Sequence, residues 1–126
     1  MGFLIFTGGC QMTHVEMLCE GNLFIGFKMK GHAGYNTSGP DILCASLSTA
    51  SQLIINGIID WTGVDIDEVL HEEQVEAVVD FEIPFFLTSP TTQQLFKSFE
   101  MFVEQLVEQY KGYVELERRQ KDDNRA

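Results

Sequence analysis

The sequence predicts an α+β fold, a two-layer sandwich in which an antiparallel sheet carries two helices on one face. Apolar and polar residues alternate near the start of the chain and again in its middle, which is the period of strands. Two longer segments carry apolar residues at three- and four-residue steps, the period of amphipathic helices. Together these segments give the order ββαββα, with a possible short strand at the C-terminal end.

The first two strands are predicted to form a β-hairpin from Thr13 to Lys30. Gly21-Asn22 is a two-residue turn signal. The flanking residues alternate between apolar and polar, with Leu18 as the exception. The positions expected on the buried face are Val15, Met17, Cys19, Ile25, Phe27 and Met29.

The first helix is predicted from about Asp41 to Ile59, after a loop from Gly31 to Gly39. Pro40 fits a first helical turn, and Asp41 is a candidate N-cap. Asn56-Gly57 weakens the last turn. The core face is expected to hold Leu43, Leu47, Ala50, Ile54 and Ile58.

The second half of the chain repeats the pattern of strands followed by a helix. Val64 to Leu70 is predicted as a weak strand, and Val75 to Ile83 as a strong one that Pro84 ends. Ser89-Pro90 has the order of residues that opens a helix, and Gly112 is expected to stop that helix. Its core face is expected to hold Leu95, Phe99, Phe102, Leu106 and Tyr110. Tyr113 to Glu117 is the possible final edge strand.

The length of 126 residues suits one domain. We assign the domain to residues 12–117, because the first eleven residues lack a sustained period and read as an atypical leader. Residues 118–126 are polar and are expected to be a disordered tail.

The excess of acidic residues limits the kinds of partner that the protein is expected to bind. Nineteen acidic and eight basic residues give a net charge of -11. This excess argues against direct nucleic-acid binding and suits a basic partner. No continuous apolar run approaches a membrane span, and residues 3–6 are too short for a signal peptide. We therefore expect a cytoplasmic protein that does not enter the membrane.

The cysteines do not suggest a disulfide framework or a zinc site. Three cysteines, Cys10, Cys19 and Cys44, occur without paired spacing. No metal or other cofactor is expected. Cys19 lies on the predicted buried face of the first strand and is interpreted as a core packing residue.

One segment carries candidate chemistry. His32 falls where the second strand ends, and Cys44 falls in the first turn of the helix that follows. The partial positive charge at a helix start stabilises a thiolate, which is the nucleophilic form of cysteine. A nearby imidazole can take the thiol proton and later return it to a leaving amine.

Each of these residues also has a plainer interpretation. A lone helical cysteine is usually buried, although Cys44 is one position off the Leu43–Leu47 stripe and need not point into the core. His32 alone is more often a strand-end histidine. Asp41 is either a cap or a group that orients His32. Ser48 lies one turn after Cys44, and its hydroxyl forms a hydrogen bond either within the site or back to a carbonyl of its own helix.

The segment resembles the Prp family of ribosomal-processing cysteine proteases. The matching residues are Gly31-His32-Ala33, then Gly39-Pro40-Asp41-Ile42-Leu43-Cys44-Ala45, then Ser48. By motif position, the resemblance implies Cys44 as nucleophile, His32 as its partner, and Asp41, Ser48 and Gly31 as supporting residues. It assigns a mobile substrate-binding loop to Gly34, Tyr35, Asn36, Thr37, Ser38 and Gly39.

The resemblance also implies a biological role. Members of the family are small, homodimeric, cytosolic proteases that remove an N-terminal extension from large-subunit ribosomal protein twenty-seven, after a Phe. The expected partners are thus a ribosomal protein precursor as substrate and a second copy of the chain. The alternatives are a non-enzymatic, ribosome-associated binding module and a thiol-based redox or regulatory protein that uses Cys44.

Overall fold

Five strands and three α-helices form in the chain, as described by a computed structural model over residues 12–31, 41–73 and 78–124. The elements are β1 (Thr13–Glu20), β2 (Leu23–Gly31), α1 (Asp41–Thr62), α2 (Ile66–Val69), β3 (Leu70–Glu73), β4 (Val78–Glu82), α3 (Pro90–Gln109) and β5 (Val114–Gln120). Short 3-10 turns lie at Phe85–Leu87 and Lys121–Asn124. The α+β prediction is confirmed.

The sheet is mixed, with strand order β3-β4-β2-β1-β5. The first hairpin is confirmed, since β1 and β2 pair antiparallel from Thr13–Gly31 to Glu20–Leu23, and Gly21 takes a positive φ in the turn. β4 pairs antiparallel with both β2 and β3. β5, however, pairs parallel with β1, so the prediction of a wholly antiparallel sheet is wrong. The reason is that α3 lies between β4 and β5 and returns the chain to the same end of the sheet.

The C-terminal segment is ordered through residue 124, against the prediction of a disordered tail from residue 118. β5 extends to Gln120, whose side-chain amide accepts from the Gly21 N–H (3.1 Å) and donates to the Gly21 carbonyl (2.9 Å). Arg119 pairs with Glu16 at 3.0 Å. These contacts attach the predicted tail to the β1–β2 turn and to β1.

The prediction of a weak strand from Val64 to Leu70 is wrong for most of that segment. Ile66–Val69 is the short helix α2, and β3 begins only at Leu70. The Asp65 carboxylate accepts from the Asp67 N–H at 3.0 Å, which caps a helical turn at this point. The strong strand is confirmed as β4 over Val78–Glu82, and residues 74–77 lie outside the described residues.

The second predicted helix is confirmed, with a capping box at its start. The Ser89 hydroxyl accepts from the Thr92 N–H (3.2 Å), and the Thr92 hydroxyl accepts from the Ser89 N–H (2.9 Å). Its core face is rotated from the prediction, because Phe96, Phe99, Val103 and Leu106 are its buried apolar residues. Leu95, Phe102 and Tyr110 are only partly buried.

The core lies between the helix layer and one face of the sheet. Phe27 of β2 is at its centre, with ring centroids 4.4 Å from Phe99 and 5.7 Å from Phe81. Leu43, Leu47 and other residues of α1 pack into the same cluster. Both long helices therefore cover the same face, as predicted.

Helix α1 is more apolar than α3, the other long helix. By length and composition alone, residues 42–62 could cross a membrane, although polar residues interrupt this segment and it is not an unbroken apolar run. A full face of α1 is buried in the core cluster, including Leu47, Ile55 and Ile58. This packing is that of the core helix of a globular domain.

Gly26 allows β2 and β4 to approach closely. A Cβ placed there would overlap the carbonyl oxygen of Phe81, a backbone atom that cannot move without shifting β4. We expect Gly26→Ala to lower the midpoint of thermal unfolding, because the β2–β4 pairing must open. Thermal denaturation followed by circular dichroism measures the shift.

Gly57→Ala is the matched control for that substitution. At Gly57, inside α1, the nearest atom to an added methyl group would be a Leu95 side-chain carbon at 3.5 Å, an ordinary contact. Alanine in a helix interior is favoured over glycine by about 1 kcal/mol, so this change should raise the midpoint. A Gly26→Ala midpoint equal to or above that of wild type would contradict the close-approach argument.

A buried carboxylate ties α3 to β5. Glu100 is 3% exposed and accepts two hydrogen bonds from the Arg118 guanidinium, both 2.7 Å long. Lys97 donates a third at 2.9 Å. The bonds from Arg118, opposed by burial and reinforced by Lys97, hold the pKa of Glu100 below its usual range. Arg118 also lies 5.0 Å from the centre of the Phe24 ring.

The Glu100 cluster predicts a pH dependence of stability. Because folding lowers the pKa of Glu100, its stabilisation is present above the unfolded pKa and is lost as pH falls through the folded value. We expect Glu100→Gln to reduce the free energy of unfolding by about 2 kcal/mol near neutral pH. Urea unfolding should show this difference shrinking as the pH is lowered below the ordinary pKa of glutamate.

The control is Glu108→Gln, a change on the same helix as Glu100 that alters an exposed pair with Lys111, just after the helix ends. Exposed pairs contribute little, so this variant should follow wild type at every pH. A constant difference between Glu100→Gln and wild type across the acid range would contradict the assignment.

Candidate active site

The first part of the predicted site is the end of β2. Gly31 is the last residue of that strand, is buried, and pairs with Thr13 of β1. His32 follows directly in the sequence. His32 and the predicted loop residues Gly34, Tyr35, Asn36, Thr37, Ser38 and Gly39 lie outside the described residues.

The second part is the start of α1. Asp41 is the first helical residue, so it falls in the first turn, where the helix dipole favours a carboxylate. Its side chain is outside the described residues. Cys44 is the fourth helical residue, which agrees with its predicted place near the helix N-terminus.

Cys44 faces the core, as the plainer interpretation of a lone helical cysteine has it, although its position beside the Leu43–Leu47 stripe left this open. It is 1% exposed and belongs to the core cluster. The buried face of α1 is wider than the predicted stripe, since Ser48 and Ser51 are also buried. Cys44 and Ser48, which the motif pairs, thus share the face of α1 that packs toward the sheet.

The sulfur of Cys44 is disulfide-bonded in this structure, although the sequence did not suggest a disulfide framework. A sulfur in a disulfide is not a thiolate and cannot attack a carbonyl carbon. The structure therefore shows an oxidised form of the proposed nucleophile, and the chemistry below concerns the reduced form.

Two buried hydroxyl residues near the site were missed by the sequence analysis. Thr13 is fully buried at the start of β1, next to Gly31, and its N–H donates to the Tyr113 carbonyl at 2.9 Å. Ser51 is buried on α1, and its hydroxyl donates to the Ser48 carbonyl at 2.9 Å. The sequence could have shown them by their spacing. Thr13 lies two residues before Val15, so it is on the same face of the strand, and Ser51 lies seven residues after Cys44, so it is on the same face of the helix.

Cys19 is the packing residue that the sequence predicted. It is buried and not disulfide-bonded. Burial raises the pKa of its thiol, Arg118 opposes that shift, and Glu100 adds to it. A raised pKa leaves less thiolate at neutral pH, so Cys19 is a poor nucleophile.

No cluster of three or more side chains suited to hold a metal occurs among the residues that the structure describes. An apolar groove is lined by Ala45, Ser46, Thr49 and other residues of α1 and α3, and Cys44 is not among the described residues that line it. At 100° per residue, these positions lie on the outward side of α1, away from Cys44 and Ser48. This groove is therefore separate from the proposed nucleophile.

Comparison with known families decides between the functional classes. The family model for the cysteine protease Prp matches residues 12–115. The match covers most of the chain and includes Gly31, His32, Asp41, Cys44 and Ser48. The chain belongs to the Prp family. It is therefore a cysteine protease, and the alternative of a non-enzymatic binding module is wrong.

Solved structures share the Prp fold. SMU.848 from Streptococcus mutans has 21% identity and a TM-score of 0.70, over 88% of this chain and 97% of that chain. The ribosomal processing protease Prp from S. aureus with a substrate peptide has 18% identity and a TM-score of 0.72, over 86% and 100%. The same protease with a covalently linked product peptide has 19% identity and a TM-score of 0.69, over 86% and 100%. No curated protein matches the chain.

Proposed function

We propose that this Prp-family protease removes the N-terminal extension of large-subunit ribosomal protein twenty-seven, cutting after a Phe. The observation that carries the proposal is the family match over residues 12–115, which contains the whole motif from Gly31 to Ser48. The similar S. aureus protease is a ribosomal processing enzyme solved with substrate and product peptides. The acidic chain, of net charge -11, also suits a basic ribosomal substrate.

The proposed chemistry uses a Cys44–His32 dyad. His32 takes the Cys44 proton, and the thiolate attacks the carbonyl carbon of the scissile peptide bond. The C–N bond then breaks, His32 gives its proton to the leaving amine, and the N-terminal fragment remains as a thioester on Cys44. Water, deprotonated by His32, hydrolyses the thioester and restores the thiol.

The surrounding residues have supporting roles in this proposal. The N-terminus of α1 stabilises the Cys44 thiolate through its partial positive charge. Free N–H groups of its first turn stabilise the oxyanion of the tetrahedral intermediate. Asp41 and Ser48 support the dyad, Gly31 ends β2 next to His32, and residues 34–39 contact the substrate.

The protein is proposed to work as a cytoplasmic homodimer that uses no metal or other cofactor. The oxidised Cys44 seen here must be reduced before cleavage, which a cytoplasmic thiol pool would achieve. Assays consequently need a reductant.

The direct test is incubation of the reduced protein with the extended ribosomal protein, followed by mass spectrometry of the product N-terminus. We expect one cut after a Phe in the extension and none in the mature sequence. A matched substrate with that Phe replaced by Ala should remain intact. An uncut extension, when thiol labelling of a parallel sample shows Cys44 to be reduced, would contradict the proposed substrate.

The disulfide at Cys44 favours one second candidate, a thiol-based redox or regulatory role. The two functions differ in what Cys44→Ser removes. A protease loses cleavage in the presence of reductant, whereas a redox protein loses only its response to oxidant.

A further inference from the structure

The strand β5 forms one edge of the sheet. Within the described sheet it pairs with β1 alone, in parallel over all seven of its residues. The Thr13 N–H donates to the Tyr113 carbonyl at 2.9 Å, which sets the groups that turn toward β1. Because these groups alternate along a strand, the N–H and C=O of Val114, Leu116 and Arg118 point away from β1. We call this row of backbone groups the β5 edge.

A groove of about 350 Å³ lies at the β5 edge. Val107 of α3 lines it on the side of the helix layer, together with Val114 and Leu116, which pack against the core. Glu115 and Glu117 line it on the open face of the sheet, where both are exposed. Side chains of a strand alternate between the two faces of a sheet. A peptide added as a strand here would therefore contact apolar side chains on one face and carboxylates on the other.

The charge at the β5 edge is negative. Glu115 and Glu117 are on the open face, and Glu104 of α3 lies near Arg118 on the other. Both arginines of β5 already pair with a carboxylate, Arg118 with Glu100 and Arg119 with Glu16. A basic segment is attracted to such an edge, whereas the edge of a second copy of this acidic chain is repelled.

The β5 edge begins at the same end of the sheet as the proposed active site. Gly31, next to His32 in the sequence, pairs with Thr13, and Thr13 pairs with Val114. Neighbouring strands are about 4.8 Å apart, so a strand added beyond β5 would start about 15 Å from Gly31. Extended chain spans that distance in about five residues. A substrate held at the proposed site can therefore reach the β5 edge with a segment close to its scissile bond.

We propose that the β5 edge is a docking site for a basic, extended segment of the substrate, which adds to the sheet as a further strand. Its backbone bonds with the outward groups of β5, and this pairing tolerates many sequences. Its lysine or arginine side chains face Glu115 and Glu117, and the residues between them are apolar and lie over Val107 and Leu116. The inference rests on the proposed function only for the identity of the substrate as a ribosomal protein.

The first test is binding of a fluorescein-labelled peptide of seven residues that alternates lysine and valine, measured by fluorescence anisotropy. This peptide matches the length of β5 and contains no Phe. We expect saturable binding that added salt weakens, and no binding of the same peptide with glutamate in place of lysine. A form N-methylated at every residue keeps the charges but loses the N–H donors, so it should bind roughly tenfold more weakly.

The variant Glu117→Lys tests where the peptide binds. We choose Glu117 because Glu115 also pairs with His14 at 2.9 Å. At low salt the variant should bind the lysine–valine peptide roughly fivefold more weakly, because a repulsion replaces an attraction. The matched control is Glu73→Lys, the same change at an exposed residue of β3, the opposite edge of the sheet. It should bind the peptide as wild type does, and circular dichroism checks that both variants fold.

Cleavage kinetics test whether the substrate uses the β5 edge. Glu117→Lys should raise KM for the full-length extended ribosomal protein roughly fivefold, in line with its weaker peptide binding. For a short peptide that ends within three residues of the cut on either side, the rise should be less than twofold, because this peptide does not reach the β5 edge. Glu73→Lys should leave both KM values unchanged.

Several outcomes would overturn the docking site: no binding of the lysine–valine peptide to wild type, equal binding of its N-methylated form, or equal weakening by Glu73→Lys and Glu117→Lys. In the first case the carboxylates would only keep the edge from pairing. If Glu117→Lys weakens peptide binding but raises both KM values equally, the site does not serve the substrate. Peptide binding is measured without cleavage, so failure of the proposed ribosomal substrate is distinguished from failure of the docking site.

Discussion

Cys44→Ala should abolish cleavage of the extended ribosomal protein, lowering the rate by roughly 10⁴-fold or more. The substitution removes the sulfur that forms the thioester, so the remaining residues can bind the substrate but cannot cut it. Mass spectrometry of the reaction over time measures the loss. His32→Ala should have a similar effect, and the double variant should lose little more, because the two residues act as one unit.

Cys19→Ala is the control that separates chemistry from packing. Cys19 and Cys44 are both buried members of the core cluster, so both substitutions cost some stability. Only Cys44→Ala should eliminate cleavage by folded protein. Substantial cleavage by Cys44→Ala would remove it as the nucleophile, and loss of cleavage in folded Cys19→Ala would show that the assay reports stability.

Phe27→Ala should lower the free energy of unfolding by about 4 kcal/mol. Phe27 is 1% exposed and touches aromatic rings from both the sheet and α3, at 4.4 Å for Phe99 and 5.7 Å for Phe81. Its removal leaves a cavity between the two layers that the neighbouring rings fill only in part. Urea denaturation at neutral pH gives the difference.

The exposed Phe86 provides the comparison. Phe86→Ala changes the same number of atoms at a position that is 82% exposed, so it should alter stability by at most about 0.5 kcal/mol. Equal losses for the two variants would show that the layers do not depend on the aromatic cluster.

Local signals predicted most of the fold. The first hairpin follows from the alternation of apolar and polar residues around Gly21-Asn22, and the start of α3 follows from Ser89-Pro90, where the structure shows a capping box. The parallel pairing of β5 with β1 could not be predicted in the same way, because it depends on where α3 delivers the chain. Ile66–Val69 was misassigned because its alternating residues resemble a strand, while the Asp65 cap makes it a helix.

The sequence predicted where Cys44 lies along α1 but not which residues surround it. The placement of Cys44 near the start of α1 follows from the helical period and is confirmed. Its burial stayed open because the width of a helix's buried face is hard to predict when small polar residues share that face, as Ser48 and Ser51 do here. Thr13 was missed because its proximity to Gly31 arises only when β1 and β2 pair.

Alkylation by a substrate-like inhibitor tests the central claim most directly. The reduced protein is treated with a peptide of the ribosomal extension that ends in a chloromethyl ketone after the Phe, and the modified residue is mapped by mass spectrometry. We predict one adduct, on Cys44, and a loss of cleavage in proportion to its yield. Full cleavage after complete modification of Cys44, or inactivation with the adduct on Cys19 instead, would contradict the assignment of Cys44 as the nucleophile.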